Sequence, residues 1–130
     1  MSLLPELADY LSSGGITNVF AGQMPDTPAA CVSVERTGGR ETVHAMGHGP
    51  GDGMERPRVQ VLVLAEGRPA AEATANAVAR LLDGMPDRIL GSVHYFWAAA
   101  VQPPFFAGED ANGRPVVAAN YDVCRARSTA

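Results

Sequence analysis

The segment from Arg58 to Gly84 changes hydrophobic period abruptly, and this constrains the chain more than any other feature. Residues 58–66 read RVQVLVLAE, with Val59, Val61 and Val63 on one side of a strand. Gly67-Arg68-Pro69 then opens a helical pattern over residues 69–83, with proline near its first turn. Ala71, Ala75, Val78, Leu81 and Leu82 share one helix face; Glu72, Asn76, Arg80 and Asp83 share the other. Gly84 and Pro86 stop the helix. A strand running straight into an amphipathic helix must bury both apolar sides against one core.

The flanking sequence supplies the rest of the fold. Residues 2–13 predict a short helix capped by Ser2, with Leu4, Leu7, Ala8 and Leu11 in one stripe. Val19-Phe20-Ala21 is a short apolar piece, and residues 29–36 alternate as a strand. Residues 87–90 predict a short strand. In 93–102, Val93, Tyr95, Trp97, Ala99 and Val101 fall on one face; Tyr95 and Trp97 read as core. PPFFAGEDANG reads as a loop, and Arg114–Arg125 as the last strand, with Val117, Ala119, Tyr121 and Val123 alternating. Six glycines between 37 and 57 (38, 39, 47, 49, 51, 53) predict a long Gly-rich loop. The expectation is a single domain over residues 1–130 of α+β class: two layers, a mostly antiparallel sheet, and two helices on one face.

Two helices of this length cover one sheet face. The other is not uniformly polar, since Leu62, Leu64 and Phe96 fall on it. These three are the expected oligomer interface. Few residues point to chemistry. His44, His48 and Asp52 are ligand types spaced by four, but MGHGPGDG is no helix and HAMGH lacks the glutamate of HExxH, so no metal is expected. Ser92 with His94, or Cys124 with a histidine, has no surrounding nucleophile motif. Glu109-Asp110 ahead of Asn112-Gly113 reads as turn chemistry. No catalytic residue, cofactor or membrane span is expected. Cys31 and Cys124 read as buried free thiols in a reducing cytoplasm. Net charge is −4, and all ten basic residues are arginine, a poor basis for gripping phosphates.

Read in order, LPELADYL, VFAGQMPDTP, CVSVERTGG, ERPRVQVLVLAEGRPAAEATANAVARLLDG and HYFWAAAVQPPFFAGEDANGRPVVAANYDVCR resemble the tail-terminator and minor-capsid proteins of long-tailed bacteriophages. The resemblance spans about residues 3–125. It implies a structural virion protein of the tail and neck, assembled in the host cytoplasm. Its role there is to cap the tail tube as a six-fold ring, stop polymerisation and join the head. The implied partners are other copies of itself, the tail tube protein and a head-completion or neck protein, with DNA passing through the lumen without specific binding. The alternatives are a neck connector, or a small α+β ligand-binding or enzyme domain with residues 37–57 as a lid.

Overall fold

A computed structural model describes residues 3–22, 29–43, 53–91 and 93–126. The elements in chain order are α1 (Leu3–Ser13), β1 (Val19–Ala21), β2 (Cys31–Val43), β3 (Met54–Leu64), α2 (Arg68–Leu82), β4 (Arg88–Leu90), β5 (Val93–Ala100), β6 (Phe105–Glu109) and β7 (Pro115–Ala126). The strands form one sheet in the order β1-β2-β3-β7-β5-β4, with β6 also paired to β7. β1 runs parallel to β2 and the other pairings are antiparallel, so the sheet is mixed. The α+β class stands, with one parallel pairing inside the expected antiparallel sheet.

Both helices pack on one side. Leu3, Leu7 and Leu11 of α1 join Ala71, Ala75, Val78 and Leu82 of α2 over Val32, Val34, Val59, Val61, Val63, Val117, Ala119, Tyr121 and Val123. These are the alternate positions of β2, β3 and β7, as period two requires. Glu72, Asn76 and Arg80 of α2, and Asp83 at its C-cap, are exposed, and Leu81 is half-buried at the margin of the inward face, so its two faces follow the sequence pattern. Fully burying a Val or Leu side chain stabilises by about 1.5–3 kcal/mol, and this core holds many.

Three local expectations change. First, the Gly-rich loop is shorter than 37–57: β2 continues to Val43 and β3 begins at Met54. Residues 44–52 lie outside the described residues. Gly38 and Gly39, at φ 145° and 149°, follow a register shift between Arg36 and Gly38. Added to Gly39, a Cβ would stand 2.6 Å from the Arg56 carbonyl oxygen and 2.7 Å from Pro57 Cα. These glycines therefore bend a strand that continues beyond them.

Second, FFAGE is a strand, β6. Antiparallel pairing to β7 breaks after Val101, whose N–H still donates to Asn120 O at 2.9 Å, and resumes at Phe105 opposite Ala118. Pro103 and Pro104 fall in the break, where no ladder N–H is needed.

Third, a register shift between Tyr95 and Trp97 reverses the facing of β5. Tyr95 and Ala98 are in the core, whereas Trp97 is 41% exposed. Trp97, expected in the core, joins Phe96 on the helix-free side because the bulge inserts one residue into the alternation.

A buried polar cluster ties α1 to the sheet. Glu6 Oε1 accepts from Tyr95 OH at 2.6 Å and from Arg125 Nη1 at 3.0 Å, and Arg125 Nη2 reaches Glu55 at 3.4 Å. Gly91 (φ 61°) closes over it: a Cβ there would lie 2.7 Å from Glu6 Oε2.

Candidate assembly surface

The helix-free face is laid out by the strand registers. Leu64, Val116 and Gly108 form one transverse row; Leu62, Ala118 and Phe105 form the next. Gln60 and Asn120 follow, with Val101 alongside. After them come Arg58, Asp122 and Ala99. The last row is Trp97 beside Cys124. One end of the face is apolar and its middle is polar. Arg58 holds the middle together, donating Nε to Asp122 Oδ1 at 2.8 Å and Nη2 to Oδ2 at 3.3 Å. An exposed ion pair of this kind orders the two side chains more than it stabilises the fold.

Along β4, β5 and β6 the face keeps apolar side chains in solvent. Trp97, Val101 and Phe105 are exposed, and Ile89, opposite His94, is 69% exposed. Phe96 is half-buried and stacks on His94, with ring centroids 4.4 Å apart. A column of large apolar side chains of this length marks a contact surface more often than a solvated one.

The three sequence-predicted interface residues all fall on this face but differ in exposure. Leu62 and Phe96 are half-buried. Leu64 is 1% exposed, already covered within the chain in a small second cluster with Cys31 and Val116, flanked by Phe20 and Leu62. Trp97, Val101 and Phe105 are the stronger candidates that alternation alone did not place. The break of pattern at Phe96-Trp97 and the apolar pair Phe105-Phe106 after two prolines were the available signals.

The residues weighed for chemistry do not converge. His44, His48, Asp52 and Ser92 lie outside the described residues, and among the described residues no group of three or more His, Cys, Asp or Glu side chains is placed to hold a metal. Cys31 and Cys124 are both buried and unbridged. Burial pushes both thiols up, away from the thiolate a nucleophile needs, with Arg114 and Arg56 respectively opposing. His94 pairs with Asp87 at the sheet edge.

Asp110 builds the β6–β7 turn. Its Oδ1 accepts from the Asn112 and Arg114 amides at 3.1 and 2.8 Å, and its Oδ2 from Arg114 Nε at 2.7 Å. Burial would raise the Asp110 carboxyl, but the Arg114 bonds outweigh it and hold the group below its ordinary value. Among the described residues no helix is long and apolar enough to cross a membrane.

This arrangement offers surfaces for association. A chain from the virion of a native gene transfer agent particle is 15% identical and superposes with a TM-score of 0.67, covering 96% of this chain and 95% of its own. A second solved chain, 18% identical, gives 0.52 over 92% of this chain and 88% of its own. At these identities the likeness is one of fold. No curated protein matches. The family model for the bacteriophage tail terminator protein matches residues 7–124, which take in most of α1, all of α2 and nearly the whole sheet. The chain belongs to the bacteriophage tail terminator family.

Proposed function

We propose that this phage tail structural protein caps the tail tube as a closed ring, ends its polymerisation and contributes to the joint with the head. The observation that carries the reading is the family match across residues 7–124. That family is a class of structural tail proteins and not of enzymes. Termination demands closure. A head-to-tail contact that does not close runs on as a filament, and a filament extends a tail where a terminator must stop it. The number six follows from the family resemblance alone. The partners are further copies of the chain, the tail tube protein and a head-completion or neck protein. DNA crosses the lumen without specific binding; a chain of net charge −4 with no lysine suits that passage.

The exposed column Trp97, Val101 and Phe105, with half-buried Leu62 and Phe96, supports the helix-free face as the assembly surface. Leu64 has no role in such a contact beyond holding Leu62 in place. Native mass spectrometry across concentration, with and without tail tubes, tests the reading on wild type and on Leu62→Asp, Phe96→Asp and Trp97→Asp. Closed rings for wild type, and folded variants that fail to assemble, are expected. A wild type that stays monomeric on tubes, or charged variants that assemble normally, would overturn it.

A further inference from the structure

Among the described residues the chain closes the β5 edge of the sheet itself and leaves the outer sides of β1, β4 and β6 without a strand. Along β5, Gly84 N–H donates to Ala98 O at 2.9 Å and Ala100 N–H donates to Asp83 Oδ1 at 2.9 Å, so the C-terminal end of α2 caps that edge; β4 covers the remainder. Natural sheets blunt their edges in this manner because a bare edge recruits other strands.

β6 carries a bulge between Phe106 and Gly108, but among the described residues no strand pairs with its outer side. Asp110 N–H donates to Arg114 O at 3.0 Å, so Asp110 faces β7 and the preceding residue, Glu109, turns its amide and carbonyl away. Glu109 stands opposite Pro115, which has no N–H to offer. The strand carries an exposed phenyl on each face. Phe105 belongs to the exposed apolar column with Trp97 and Val101. Phe106 lies on the helix side under the Arg68 guanidinium, 4.2 Å from the ring centroid. On that side a groove of about 220 Å³, lined by Glu72, Asn76, Pro104, Phe106 and Val117, runs beside the strand. An added strand would seat alternate side chains in this groove and against Phe105.

At the opposite end of the same sheet, β1 pairs, among the described residues, only with β2. Val32 N–H donates to Asn18 O and Gly22 N–H donates to Val34 O. Residues 18, 20 and 22 therefore face β2, while Val19 and Ala21 point their backbone groups outward.

From this geometry we infer that β6 is the docking edge for β1 of a second copy. The strand directions favour it. β1 is parallel to β2, and three antiparallel steps lead from β2 through β3 and β7 to β6, so β6 runs opposite to β1. A copy rotated about an axis along the strands therefore brings β1 antiparallel to β6, the geometry with straight hydrogen bonds. The contact joins two different edges of one chain and leaves both edge types free at its ends, so it repeats until it closes. It is continuous with the apolar column through Phe105. A β6–β6 contact would instead be isologous, stop at a dimer and leave β1 bare.

The inference rests on the ring reading and is tested by cysteine cross-linking of the full chain assembled on tail tubes. Ala21→Cys and Glu109→Cys, both exposed positions, are combined and treated with a short bismaleimide; native Cys31 and Cys124 are buried. The double variant should give a denaturing-gel ladder of multiples reaching the ring, and each single variant only monomer. A dimer from Glu109→Cys alone would overturn the inference in favour of β6–β6 pairing. Rings visible by electron microscopy with no ladder would overturn it and leave the capping function intact. Absence of rings from wild type as well would overturn the function and this contact together.

Discussion

Replacing Arg125 by Met tests whether the buried charge cluster holds α1 on the sheet. The Arg125 side chain is 6% exposed and that of Glu6 is fully buried. Without the guanidinium, the Glu6 carboxylate keeps a single donor, Tyr95 OH, while Oε2 already has no hydrogen-bond partner among the described residues. Removing one partner of a buried ion pair costs about 3–5 kcal/mol because the other charge is left uncompensated. Total stabilities of about 5–15 kcal/mol make that a large fraction. At roughly 3–5 °C per kcal/mol for a domain of this size, the melting temperature should fall by about 10–20 °C. The assay is thermal and urea unfolding followed by far-UV circular dichroism, run also on Glu6→Gln and on the double variant. The two single losses should exceed the double loss by about 1 kcal/mol or more, since each removes the same contact. A loss under about 1 kcal/mol for Arg125→Met, or strictly additive losses, would refute the reasoning.

Other outcomes follow from single positions. Gly39→Ala should destabilise by about 1–3 kcal/mol in urea melts, because its Cβ meets backbone that cannot move away and φ is 149°; Gly38→Ala, with nothing within 4 Å, should cost less. Leu64→Asp should unfold the monomer, since Leu64 is buried within its own chain, whereas Trp97→Asp, at an exposed position, should leave the chain folded at a smaller loss of stability and abolish assembly. Burial, with Asp83 adding to it, pushes Tyr121 up to about 12, and burial with the Glu6 hydrogen bond pushes Tyr95 up further. Both stay neutral when folded while the unfolded chain ionises near pH 10. These two groups therefore leave stability unchanged below about pH 10, and each lowers it by about 1.4 kcal/mol per pH unit from there up to its folded-state value; urea midpoints that are flat from about pH 9 to 11 would contradict this.

What could be read from the sequence was whatever depends on local period. The two faces of α2 and the inward set of β7 follow from spacing alone, and so does the placing of Leu62, Leu64 and Phe96 on the side away from the helices. Cover, by contrast, is a tertiary property. Leu64 is buried because β2 and β7 bring Cys31 and Val116 beside it, and no periodicity encodes that. Alternation places Trp97 inward because it has no term for an extra residue, and one bulge inverts everything beyond it. β6 was hidden by Pro103-Pro104, which interrupt a strand without ending its pairing with β7. Gly38-Gly39 read as loop for the same kind of reason: glycine marks a bend in the backbone and does not say whether the strand resumes. The Glu6–Tyr95–Arg125–Glu55 cluster joins residues up to 119 positions apart, and nothing near any of them in the sequence announces the others.

Growth of tail tubes in the presence and absence of the purified protein, imaged by electron microscopy, tests the terminator function most directly. Added protein should fix the length distribution and leave a ring of density at one end of each tube, and Trp97→Asp protein should do neither. Tubes that keep lengthening past bound protein, or that bind it along their sides with bare ends, would contradict a terminator.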